Sequence, residues 1–95
     1  MSDSNFGFEI NNPITLTSIQ MSYAYLNSLI LEDGTELIYE RYGSRIGSSN
    51  CCIDIWKIHN KKTNSLITTL YINCYGKEDT IKVPKGFKFK ERLTH

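Results

Sequence analysis

Three cysteines, two histidines and ten carboxylates are the first residues of this chain to weigh for covalent or acid–base chemistry. A thiol and an imidazole act as nucleophile and base only within hydrogen-bond reach, about 3 Å. Cys51–His59 reads as one extended strand, which at roughly 3.3 Å per residue places His59 about 26 Å from Cys51 and about 23 Å from Cys52. Cys74 falls beside Cys51 when the next strand folds back, so it is equally remote, and His95 ends the chain. Cys51 and Cys52 are adjacent and point to opposite sides of a strand, which gives no paired spacing for zinc. Small buried thiols, reduced in a cytoplasmic protein, are the expectation.

Carboxylate chemistry is equally poorly served. Glu36 and Glu40 share a strand face but lie about 13 Å apart, beyond the ~5–9.5 Å of paired-carboxylate hydrolysis. Asp54, close to Trp56, is the acid whose pKa burial would raise, although a hydrogen-bonded aspartate is the commoner outcome. The loop Gly43–Asn50 has the glycines and serines of a phosphate cradle but neither its Lys-Ser/Thr ending nor a following helix start, leaving Arg45 as its one anion-seeking group. No cofactor and no metal are implied, and a small hydrolase-type enzyme is the weakest of the functional readings.

What must position these groups is mostly strand. Isoleucine, threonine, valine and the aromatics occupy 32 of 95 positions, against a single alanine, Ala24. The expected fold is mainly β: one antiparallel meander, small sandwich or half-barrel over residues 1–95, with at most one short helix near 17–27 and an α+β fold as the alternative. Residues 1–7 and 91–95 are expected to be flexible. Segment 14–21 reads as strand, with a helix over 17–27 as its rival, because Leu16, Ile19, Tyr23, Leu26 and Ile30 recur at helical spacing. Asp33-Gly34 between Leu29-Ile30-Leu31 and Leu37-Ile38-Tyr39 predicts a tight hairpin with positive φ at both central residues. Cys51–His59 and Ser65–Tyr75 form the next two strands around Lys61–Asn64, and Phe87–Lys90 alternates apolar with basic as a guarded sheet edge does.

The central hairpin has a preferred register. A four-residue loop pairs His59 with Leu66, Ile55 with Leu70 and Ile53 with Ile72, which makes a nearly pure apolar face. The opposite face then carries Asp54, Trp56, Tyr71, Asn73 and Tyr75. An odd loop would turn Asp54 and Trp56 toward Leu70 and Ile72, mixing the two sets.

Charge excludes some partners. The total is +1, yet residues 1–40 carry −6 and residues 41–95 carry +7. The longest aliphatic run is three residues, far below the ~18–20 of a membrane span, and Met1–Ser4 lacks a secretory start. The leading expectation is a non-enzymatic binding protein that self-associates, or takes a protein partner or small ligand, through Trp56, Tyr71 and Tyr75, with Asp54, Asn73 and Arg45 as polar contacts. The alternative is nucleic-acid or anion binding by the basic C-terminal half, where six basic residues over 77–95 face three acids.

Overall fold

A computed structural model describes residues 4–47 and 50–90 of the chain. The order is β1 (Ile14–Thr15), α1 (Ile19–Asn27), β2 (Leu29–Leu31), β3 (Leu37–Ile46), β4 (Cys52–Asn60), β5 (Leu66–Asn73) and β6 (Phe87–Phe89). Among the described residues the fold is mainly β, with one helix, two sheets and no closed barrel. β3, β4 and β5 form an antiparallel meander, and β1 joins its far edge parallel to β5, giving the order β1-β5-β4-β3. β2 and β6 make a separate antiparallel pair.

The helix wins over the strand favoured for 14–21 because Ser18 caps it. With extended backbone, Ser18 accepts a hydrogen bond on Oγ from the Met21 amide at 3.1 Å, satisfying one otherwise orphaned donor. The buried stripe is Ser22, Tyr25 and Leu26, while Ile19 and Tyr23 of the expected apolar face stay about half exposed. Tyr25 reaches across to donate from its hydroxyl to the Lys82 carbonyl at 2.6 Å, and burial pushes its pKa far up.

The hairpin expected at Asp33-Gly34 does not form a ladder. Only Gly34 has positive φ, at 91°, whereas the expected turn needs it at both central residues. The Asp33 carboxylate instead accepts from the Thr35 hydroxyl and amide at 2.6 and 2.9 Å, which holds its pKa below the usual carboxylate range. The chain therefore leaves β2 in a new direction, and β2 pairs with β6, bringing Leu29 against Phe89 and Leu31 against Phe87.

The core lies between the meander and the covering layer of α1, β2 and β6. Ile14, Leu16, Leu26, Leu29, Trp56, Ile58, Leu70, Ile72 and Phe87 are all buried in it. Phe6 joins them at 7% exposure, and the Gly7 carbonyl accepts from the Tyr71 amide. Of the two ends expected to be flexible, residues 1–3 and 91–95 lie outside the described residues. Among the described residues no helix is long and apolar enough to cross a membrane.

Candidate functional site

Which side chains share a face follows from one extra residue. His59 sits opposite Leu66 as expected, but beyond it Ile58 pairs with Thr68, Trp56 with Leu70 and Asp54 with Ile72. The shift between Ile58 and His59 is a β-bulge that leaves Ile67 unopposed and exchanges the faces of β5. Trp56 and Ile58 consequently point with Leu70 and Ile72 into the core. Ile53 and Ile55 are buried as expected, at 2% and 8% exposure, but they share the opposite face with Tyr71 and not the face of Leu70 and Ile72. The six site residues inferred from sequence are thereby split between two sides of the sheet.

Asp54, Trp56 and Tyr75 meet on the helix side, in a cleft of about 370 Å³ also lined by Ile19, Tyr23, Arg41 and Cys52. Trp56 is its floor and not an exposed contact. Only 3% of it is accessible, because Tyr23 and Tyr39 close over it in T-shaped contacts at centroid distances of 5.5 and 5.6 Å. Among the described residues its indole N–H has no hydrogen-bond acceptor. Asp54 is buried too, and its carboxylate is held by Arg41 at 3.1 Å and by the Cys74 thiol at 3.6 Å. The Asp54 bond in turn holds the Arg41 guanidinium charged above its ordinary range. Burial and the neighbouring Asp54 push the Cys74 thiol up, away from the thiolate a nucleophile requires.

Arg45 and Tyr71 meet on the open side. They line a groove of about 460 Å³ with Tyr42, Lys57 and Thr69 and the apolar Ile55 and Ile10. Lys57 Nζ lies 4.0 Å from the centroid of the Tyr42 ring, a cation–π contact that lays the ammonium along the groove wall. No carboxylate lines the groove, and neither Arg45 nor Lys57 is in an ion pair among the described residues. Asn73 lies further along β5, opposite Thr15, and accepts from the Tyr75 amide at 2.9 Å. That bond ends the strand and is a turn contact.

Tyr42, Lys57, Thr69 and Ile10 are groove residues that the sequence reading did not select. The signal for two of them was present in the interleaved Tyr39-Glu40-Arg41-Tyr42 and Trp56-Lys57, but a bulge decides which of those rings faces outward. Arg41 opposes Trp56 and Gly43 opposes Ile55, so Tyr42 is an inserted residue on β3. The basic residues of the C-terminal segment lie elsewhere: Lys82 rests over the Phe6 ring, and Lys88 pairs with Ile30 in the small sheet. Cys52 and His59 stand seven residues apart on one unbroken strand, about 23 Å at strand rise, and on opposite faces. Among the described residues no cluster of three or more His, Cys, Asp or Glu side chains is placed to hold a metal ion. Comparison with protein-family models, characterised proteins and solved structures gives no match.

Proposed function

We propose that the protein is a non-enzymatic binding protein and that its open sheet face takes a small ligand carrying both a negative group and a flat ring, as a nucleoside monophosphate does. The observation behind this reading is the composition of one groove: two cations, two phenol rings, the apolar Ile55 and Ile10 and no carboxylate. A guanidinium presents a fixed fork of donors that matches phosphate or carboxylate oxygens. Exposed tyrosine rings stack on planar bases at little cost in side-chain order. The volume lies within the ~300–1,000 Å³ range of small-ligand sites.

The test is a titration of the labelled protein with adenosine monophosphate, followed by amide chemical shifts. Shifts are expected to concentrate at Tyr42, Arg45, Ile55, Lys57, Thr69 and Tyr71 and to weaken as salt rises. Arg45→Gln is expected to lower the affinity roughly tenfold, the loss of one charge-assisted contact. Adenosine, which lacks the phosphate, should bind about as weakly to the wild type as the monophosphate does to the variant. Absence of shifts at millimolar ligand, or shifts confined to the helix side, would refute the proposal.

A further inference from the structure

The four-stranded sheet has two edges: one is β3, and the other is β5 with the two-residue β1 laid over its end. Along β1 the Gly76 amide donates to the Leu16 carbonyl and the Thr80 amide to the Thr15 carbonyl, while the Asp79 carboxylate accepts from Thr17, so residues 76–80 wrap that side. The other edge is β3, ten residues long, and among the described residues no group bonds to its outer side. Ile38, Tyr42 and Ile46 are exposed along it. An edge of that length is a template for another strand unless something repels the newcomer.

We infer that a second copy of this chain pairs along β3, antiparallel, around a two-fold axis passing between Tyr42 and Gly43. The register follows from which face each residue occupies. Opposite residues of an antiparallel pair point to the same side of the sheet. Through their partners on β4, Tyr39, Arg41, Ser44 and Ile46 belong to the helix side and Glu40, Gly43 and Arg45 to the open side; Tyr42, in the groove wall, is also on the open side. Because Tyr42 and Gly43 are consecutive on one side, a strict alternation is broken once, at the bulge.

In the proposed register Tyr42 opposes Gly43 of the second copy, Arg41 opposes Ser44, Glu40 opposes Arg45 and Tyr39 opposes Ile46. Every pair then shares a side. Slipping by one residue either way sets helix-side residues against open-side ones along the ladder. Slipping by two leaves a mismatch at the centre and separates Glu40 from Arg45. The bulge, ordinarily a device that spoils an edge, is here what places Glu40 and Arg45 on one side so that two opposite-charge pairs form across the axis. Neither residue is within ion-pair distance of an opposite charge among the described residues of the single chain, although Glu40 stands opposite Lys57 on β4. Because a two-fold uses the β3 edge of both copies at once, such pairing closes at two copies.

The pairing rests on the β3 edge and not on the ligand groove, but it sets the second copy's Glu40 against Arg45, so dimer and ligand compete for that guanidinium. Sedimentation of the wild type is expected to show a concentration-dependent dimer. Glu40→Arg and Arg45→Glu should each weaken it about tenfold or more, by setting like charges opposite one another twice. The double variant carrying both changes restores opposite charges and should recover the wild-type dimer. It should not recover adenosine monophosphate binding, since Arg45 is gone, so failure of one proposal is distinguishable from failure of the other. On the unmodified protein, amide exchange within 39–46 should slow as concentration rises. A wild-type monomer at millimolar concentration, or a double variant no better than the singles, would overturn the inference.

Discussion

Trp56→Ala is expected to destabilise the protein by about 3–5 kcal/mol, the range for removing a large aromatic from a packed core. The ring is the floor on which helix and meander meet. Tyr23 of α1 and Tyr39 of β3 both pack against it in T-shaped contacts, and such aromatic pairs add about 0.5–1.5 kcal/mol each beyond the area they bury. The cavity left behind would open toward the cleft lined by Ile19, Tyr23 and Tyr75. A domain of this size has roughly 5–14 kcal/mol to lose, so the variant is expected to be partly unfolded near physiological temperature. Denaturant titration followed by circular dichroism reads the loss. Tyr75→Ala, in the same cleft but 68% exposed, should change stability by no more than about 0.5 kcal/mol. Equal effects from the two substitutions would mean that Trp56 is not covered by its own chain.

The second large effect separates two leucines four residues apart on β5. Leu70 is fully buried opposite Trp56, whereas Leu66 is 55% exposed opposite His59. Leu70→Ala is expected to cost about 2–5 kcal/mol and Leu66→Ala about 0.5 kcal/mol or less. Uninterrupted alternation would place the two on the same side and make both substitutions severe. The contrast is therefore produced by the bulge at Ile67, and equal losses measured by thermal or chemical unfolding would remove it.

That bulge also explains how far the sequence could be read. The strand-rich composition, a helix within 17–27, the two strands around Lys61–Asn64 and the wish of Leu70 and Ile72 to be buried are all visible in residue type and spacing. The facing of Trp56 is not. β4 carries apolar residues on both sides, with Ile53 and Ile55 on one and Trp56 and Ile58 on the other, so either register buries a comparable amount of hydrocarbon. Alternation then stops discriminating, and a single inserted residue settles the matter. The same holds for β2, whose partner β6 lies far along the chain; a local turn signal at Asp33-Gly34 carries no information about so distant a strand. Phe6 is hidden for a related reason, since its burial depends on a hydrogen bond from Tyr71 to Gly7 that no local pattern announces.

The candidate groove suffered most from this ambiguity. Arg45 and Tyr71 were identifiable as a cation and a ring, but their neighbours Tyr42 and Lys57 depend on a second bulge, between Arg41 and Gly43. Both irregularities fall beside a surface where rings and cations converge. Bulges re-aim side chains next to functional sites at the cost of local ladder bonds. In this chain one turns Trp56 inward and the other turns Tyr42 outward.

The most direct measurement is a set of cross-strand proton contacts between β4 and β5 by nuclear Overhauser spectroscopy. Trp56 should be found opposite Leu70 and Asp54 opposite Ile72, with Ile67 facing no residue of β4. Finding Ile55 opposite Leu70 and Ile53 opposite Ile72 would instead put Trp56 on the outer surface, and with it would go the groove, the shared sides along β3 and the pairing built on them.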